Sequence, residues 1–85
     1  MHSSDKPINQ FSLNDLELWL KELGANVDID DPSKWHLKIL DWDAIINFEK
    51  DDLSVVWNCN GELTRRLFSY RINIEDVENA ILQGP

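Results

Sequence analysis

Three arginines lie within seven residues of one another and are the most obvious residues for binding chemistry in this chain. Arg65, Arg66 and Arg71 are interleaved with Phe68 and Tyr70. Guanidinium groups bind carboxylates and phosphates through paired hydrogen bonds, and aromatic rings stack on bases. The pattern is therefore consistent with binding of RNA or another anionic ligand. The interpretation that we favour is that these arginines pair with the carboxylates of the same acidic chain.

Residues that could support catalysis are isolated from one another in the sequence. Cys59 is the only cysteine, and no partner base stands at a recognisable spacing from it. His36 falls on the polar side of an alternating pattern, without a second histidine or cysteine at ligand spacing. The acidic pairs at 41/43 and 51/52 lie in expected turns, where Asp accepts local backbone hydrogen bonds. We expect a protein that is not an enzyme and that requires no cofactor.

An acidic loop offers the one candidate for a metal site. Three carboxylates lie within residues 28–31, and calcium prefers several oxygen ligands. An EF-hand loop needs glycine at its sixth position and glutamate at its twelfth. Counted from Asp28, these positions hold Ser33 and Ile39. We therefore favour a solvated loop, and the sequence leaves cation binding by residues 26–31 open.

The composition restricts the classes of partner and the setting. Sixteen acidic and eight basic residues give 85 residues a net charge of −8, which repels phosphate backbones and anionic membranes. Nucleic acid is thus disfavoured as a general partner. The chain contains no apolar run of about 18 residues and no apolar leader at its N-terminus. We therefore expect no membrane insertion. A single cysteine cannot form a disulfide within the chain, which favours a reducing compartment, and we expect a cytoplasmic location.

Helix-capping signals delimit two amphipathic helices. Ser12 is suited to be the N-cap of the first, and Gly24 follows Leu23 at the position of a left-handed C-cap. Asn73 and Gly84 stand in the same roles around a second helix. Each helix carries one apolar stripe and must therefore pack on another element.

The intervening residues predict a four-stranded meander. Asn60-Gly61 is the strongest hairpin signal in the chain, because both residues tolerate the positive φ angles of a type I′ turn. A two-residue turn there pairs Trp57 with Thr64 and directs Phe68 toward the core, which is the register that we favour. A longer loop with odd register would reverse the facing of the fourth strand. Short connections between strands favour antiparallel neighbours. The predicted strands cover residues 34–40, 44–49, 53–58 and 63–70.

These elements combine into a two-layer α+β domain with the order helix, four-stranded antiparallel meander, helix. Both helices are expected on one sheet face, within a single domain at 11–85 that follows a flexible N-terminal tail at 1–10. The other face should expose Leu40, Ile45 and Val56, three aliphatic side chains that could bind a protein partner. We expect a monomer or a weak homodimer. A homodimer would form by edge pairing of the first or fourth strand, which basic residues on those strands would discourage, namely Lys34, Lys38, Arg65 and Arg66.

Several short segments of the chain form a recognisable set. They are the Leu-Glu-Leu-Trp-Leu helix at 16–20, Asp-Pro-Ser-Lys-Trp at 31–35, Leu-Ser-Val-Val-Trp at 53–57, Arg65-Arg66 before Phe68 and Tyr70, and residues 76–85. Together these segments resemble a small uncharacterised protein family, a domain of unknown function found mainly in cyanobacteria and plastids. The resemblance spans nearly the whole chain after residue 10 and implies a setting in a photosynthetic cell, in the cytosol or at the thylakoid face that meets it. It implies no catalytic or binding residue.

Overall fold

The computed structural model describes residues 6–85 and has α+β architecture, as the sequence predicts. Five strands form one antiparallel meander, with each strand beside the next in the order β1-β2-β3-β4-β5. The elements are a 3-10 helix at Ile8–Gln10, α1 at Leu13–Leu23, β1 at Asn26–Val27, β2 at Lys34–Lys38, β3 at Asp43–Phe48, β4 at Asp52–Cys59, β5 at Glu62–Ser69 and α2 at Ile74–Gln83.

The strand that the sequence analysis missed is β1, so the prediction of four strands is wrong by one. Its two residues pair with β2, Asn26 opposite His36 and Val27 opposite Trp35. The three aspartates before Pro32 predict a loop over residues 25–33, and two residues are too few to show the alternation that identifies a strand. The prediction for the next strand was too long: β2 ends at Lys38, and the chain turns as the Ile39 amide donates to the Trp42 carbonyl.

The hairpin between β4 and β5 has the predicted turn and register. Asn60 and Gly61 both have positive φ, 55° and 87°, as a type I′ turn requires. Trp57 lies opposite Thr64, which confirms the predicted pairing. Phe68 is buried on the core side as a consequence.

Helix α1 begins and ends at the predicted caps. The Ser12 Oγ accepts from the Asp15 amide at 3.1 Å, and Gly24 has a left-handed φ of 102°. The Gly24 and Ala25 amides bond back to the Lys21 and Leu20 carbonyls, as in a Schellman motif. Within residues 6–85, no helix combines the length and the apolar character needed to cross a membrane.

The start of α2 is held by the N-terminal segment rather than by the predicted cap. Asn73 occupies the N-cap position, but its side chain makes no capping hydrogen bond. The Ile74 amide instead donates to the Lys6 carbonyl at 3.0 Å, and the Ile8 amide donates to the Ile72 carbonyl at 3.1 Å. Ile8 is fully buried in the core. Residues 6–10 of the predicted tail therefore pack against the domain, while residues 1–5 lie outside the described residues.

One hydrophobic core lies between the sheet and both helices. We call the sheet face that points into it the inner face; it contributes Trp35, Leu37, Ala44, Ile46, Leu53, Val55, Trp57 and Phe68, and the helices contribute Leu16, Trp19, Leu20, Ile74, Val77 and Ile81. One indole hydrogen bond joins the sheet to α2, and a second joins α1 to α2. The Trp57 Nε1–H donates to the Ile81 carbonyl at 3.2 Å, and the Trp19 Nε1–H donates to Glu78 Oε1 at 2.8 Å.

We expect Trp57→Phe to lower the free energy of unfolding by about 2–3 kcal/mol, because it removes a buried hydrogen bond and leaves space beside Ile81. Urea denaturation followed by circular dichroism measures the change. Leu40→Ala, at a residue that is 97% exposed, is the matched control and should have little effect. Equal stability of the two variants would show that this indole does not hold α2 on the sheet.

Candidate functional site

The sheet face opposite the core, here called the outer face, carries a continuous row of cross-strand partners. Alternation along each strand directs these side chains away from the helices. No helix in residues 6–85 packs on this face, since both helices contribute to the core cluster on the other side. The row is formed, one residue from each strand, by Asn26, His36, Ile45, Val56 and Arg65.

Two of the three aliphatic residues that we predicted as exposed meet at the centre of this row. Ile45 is directly opposite Val56 on the neighbouring strand, so their side chains lie side by side. Leu63 and Leu67 of β5 share the face and are 71% and 50% exposed. The hairpin register predicted this facing for both leucines, although we did not include them among the candidate site residues. They enlarge the apolar area next to Val56.

Leu40 does not belong to this surface as predicted, because β2 ends two residues earlier. It lies in the turn that leads to β3 and is 97% exposed. That turn and the Asn60-Gly61 turn border a shallow cleft of about 290 Å³ at one end of the sheet. Leu40 thus lies at the rim of the outer face rather than within its central row.

The charges on the outer face differ from those of the chain as a whole. The strand residues on this face include three basic side chains, Lys34, Lys38 and Arg65, and two acidic ones, Asp43 and Asp52. The complete chain has a net charge of −8. The acidic excess therefore lies on other surfaces, and the outer face combines apolar side chains with nearly balanced charge.

Arg65 is held against its own sheet. Its Nε donates to the Ser54 Oγ at 3.4 Å, and its guanidinium lies 3.6 Å from a carboxylate oxygen of Glu49. Ser54 is only 3% exposed although no helix in residues 6–85 covers this face, since it lies between Asn47 and Leu67 and is in contact with Arg65. Half-exposed ion pairs of this kind contribute about 0–1 kcal/mol, so the contact orients Arg65 more than it stabilises the fold.

The position of Glu49 depends on Tyr70. The Tyr70 hydroxyl donates to the carbonyls of Glu49 and Asp52, the second at 2.9 Å, and so fixes the turn between β3 and β4. Burial raises the pKa of Tyr70 above its ordinary value, and the nearby carboxylates of Asp52 and Glu49 add to the shift. The phenol consequently remains a neutral hydrogen-bond donor near neutral pH.

The three arginines do not converge on one site. Arg65 and Arg66 are consecutive strand residues and therefore project to opposite faces. Arg66 lies over the Phe68 ring, 4.8 Å from its centroid, on the inner-face side of the strand. Arg71 follows the end of β5, where its amide donates to the Ser69 Oγ at 3.2 Å. A single anion cannot contact both Arg65 and Arg66 while the strand keeps this geometry.

The acidic loop uses its carboxylates for internal hydrogen bonds. One Asp28 oxygen accepts from the amides of Asp30 and Asp31, both at 3.0 Å, and the other is 2.7 Å from His36 Nε2. The hydrogen bond with His36 holds the pKa of Asp28 below its ordinary value, and the loop amides contribute further. Within residues 6–85, no group of three His, Cys, Asp or Glu side chains is arranged to hold a metal ion.

Cys59 is half-buried at the end of β4. Its thiol donates to the Asp41 carbonyl, with 3.6 Å between Sγ and the oxygen. This contact links the Asn60-Gly61 turn to the turn between β2 and β3. Its geometry is that of a structural thiol with a backbone acceptor, as expected for a small apolar side chain near a turn.

A second shallow cleft lies where α1 ends beside β1. It has a volume of about 380 Å³ and is lined by Trp35 and Lys21, among others. The Trp35 Nε1 is buried and has no hydrogen-bond partner among residues 6–85. Because that nitrogen is shielded from solvent, a ligand in the cleft could not reach it while the indole keeps its position.

The carboxyl of Asp28 should titrate below its ordinary pKa of 3.8. Since folding lowers this pKa, the stabilisation is present above pH 4 and is lost as pH falls through the pKa of the folded state. Carboxyl-carbon NMR would measure the midpoint in the wild type and in His36→Ala. The midpoint should rise in the variant but remain below 3.8, because the two loop amides still bond to Asp28. Identical midpoints would show that His36 does not cause the shift.

Comparison with known proteins identifies the family of the chain. A family model described as "Protein of unknown function (DUF3143)" matches residues 23–84, which extend from the last residue of α1 to the end of α2. Searches of curated proteins and of solved structures found no match. The matched region contains the whole sheet and thus the complete outer face. This chain therefore belongs to the DUF3143 family of proteins of unknown function.

Proposed function

We propose that this protein is a non-enzymatic protein-interaction module, a small adaptor or assembly factor, that binds its protein partner through the outer face. The observation that carries the proposal is the Ile45 and Val56 pair, located at the centre of a sheet face that no other described element covers. Ile45 is 37% exposed and Val56 is half-buried, so the pair is smaller in exposed area than predicted. Leu63 and Leu67 beside it are more exposed, and aliphatic side chains grouped in this way favour a protein partner over solvent.

The arrangement of side chains on the outer face matches the usual organisation of an interface. Interface centres are depleted in charge, whereas their rims are polar. Here Ile45 and Val56 occupy the centre, and Lys38 and Asp43 lie opposite each other toward one end of the sheet. Nearly balanced charge supports a partner with an apolar patch and a mixed polar rim.

The proposed setting is the cytoplasm of a photosynthetic cell. It rests on the resemblance of the chain to proteins of cyanobacteria and plastids, together with the charge and the single cysteine. An adaptor in that compartment would meet soluble proteins and the exposed surfaces of thylakoid complexes. We propose no cofactor, because the proposed binding needs none.

Binding of RNA or another anionic ligand through Arg65, Arg66 and Arg71 is the alternative, and we rank it second. The opposite facing of Arg65 and Arg66 argues against one shared anion site. The net charge of −8 would oppose approach of a phosphate backbone at low salt. The Arg66 stack on Phe68 is the feature that favours this alternative.

Val56→Asp should abolish recovery of the partner by affinity capture from cyanobacterial lysate that has been separated into soluble and thylakoid fractions. A carboxylate at the centre of the apolar pair would be desolvated by the bound partner, which costs more than the contact returns. Leu63→Asp lies on the same face at a more exposed position and provides a second variant if Val56→Asp is unstable. Circular dichroism would verify that each bait is folded.

Ile29→Asp is the matched control, because it introduces the same charge at a residue that is 95% exposed and outside the sheet. The proposal requires a partner that the wild type and Ile29→Asp recover and that both outer-face variants lose. Recovery of the same proteins by all four baits would overturn it. Arg66→Glu is a further bait that tests the alternative. If the wild type and the other variants recover RNA and Arg66→Glu does not, the result would favour binding of RNA.

A further inference from the structure

Strand β5 forms a long free edge of the sheet. All of its eight residues pair with β4, and no other segment of residues 6–85 pairs with its opposite side. Phe68 is its only buried residue. The other sheet edge, β1, has just two residues. A free strand of this length presents unpaired amides and carbonyls and can pair with a further strand.

The type I′ turn determines which backbone groups of β5 point outward. In a two-residue hairpin, the residues that flank the turn, Cys59 and Glu62, bond to each other, and every second pair after them does the same. Thr64, Arg66 and Phe68 therefore bond to β4. The amides and carbonyls of Leu63, Arg65 and Leu67 point away from the sheet and are available for another strand.

Features that normally protect an edge strand are weak in β5. The strand contains no proline, and its register with β4 runs without a bulge from Glu62 to Ser69. A charged side chain such as Arg65 at the middle of an edge strand ordinarily opposes pairing with another strand. Its guanidinium, however, is turned back over its own sheet toward Ser54 and Glu49, so its charge does not project from the edge.

We propose that β5 pairs antiparallel with β5 of a second copy of this chain, around a two-fold axis at Thr64. Two copies would then share one ten-stranded sheet. In this register Glu62 of each copy lies opposite Arg66 of the other, which makes two opposite-charge pairs. Leu63 lies opposite Arg65 of the second copy, and these two pairs supply about four backbone hydrogen bonds.

Charge selects this register from the alternatives. A continuous sheet requires that residues with the same facing lie opposite each other, so the axis must pass through a residue position. An axis at Arg65 or Arg66 would place identical arginines face to face. An axis at Leu63 or at Leu67 would make no opposite-charge pair. The axis at Leu67 would also bring the second copy against the N-terminal segment, where Asn9 bonds to the Tyr70 carbonyl.

The dimer should be weak, because pairing of one strand edge buries less than the roughly 1,200 Å² of a stable interface. It uses the sheet edge and involves one kind of protein, whereas the proposed function uses the outer face and a different partner. Measurements on the purified chain therefore test it separately. Failure of the dimer would leave the proposed function standing, and the reverse also holds.

Sedimentation equilibrium of the purified chain from about 10 μM to about 1 mM should show the mass rising from 9.9 kDa toward twice that value. Arg66→Glu and Glu62→Arg should each weaken association about tenfold or more, since each converts two attractive pairs into repulsive ones. The combined Arg66→Glu and Glu62→Arg variant should restore it. Lys38→Glu reverses a charge on the outer face, away from the β5 edge, and is the matched control. It should leave the association constant unchanged.

Disulfide trapping tests the register directly. In a Cys59→Ser background, Thr64→Cys should give a covalent dimer on mild oxidation, because residues opposite each other at a non-hydrogen-bonded site have Cα atoms about 4.5 Å apart. Arg66→Cys should not, since Arg66 faces Glu62 of the second copy. A monomer throughout the concentration range, a mass beyond the dimer, or trapping through Arg66→Cys instead of Thr64→Cys would each overturn the proposal.

Discussion

Burial of the inner sheet face beneath two helices is the constraint on which the rest of this structure depends. The face carries Trp35 and Trp57, both almost fully buried, and their large apolar areas require cover from α1 and α2. Small domains bury a modest fraction of their surface, so large side chains must contribute much of the stabilisation. The indole hydrogen bond from Trp57 to the Ile81 carbonyl joins α2 to the sheet.

The same constraint produces the asymmetry of the molecule. Both helices pack on the inner face, so no element among residues 6–85 covers the outer face. The central row of the outer face therefore consists of strand side chains that no helix shields. On the outer face the Arg65 side chain contacts Ser54, whereas no helix covers Ile45 and Val56. A surface suited to a partner thus follows from one-sided packing of an amphipathic sheet, without a dedicated motif.

The N-terminal segment closes the fold at the point where the sheet passes into α2. Ile8 enters the core, and the Lys6 carbonyl accepts from the first amide of α2. This backbone contact caps the start of α2, the role that the sequence predicts for the Asn73 side chain. The family match begins at residue 23, so Lys6 and Ile8 lie outside the matched region, whereas their backbone partners Ile74 and Ile72 lie within it.

Local features of the sequence determined the elements, their order and much of their facing. Asn60-Gly61 dictated the turn and thereby the β4–β5 register, because backbone φ preferences and two-residue alternation act between near neighbours. The caps of α1 and the shared facing of Ile45 and Val56 follow from the same short-range rules, whereas their direct pairing was not predicted. Only the tertiary structure decided the pairing of Asn26–Val27, the burial of Ile8 and the turning of Arg65 toward Glu49. Each of these depends on residues distant in the chain, whose proximity exists only after the sheet has formed and the helices have packed on it.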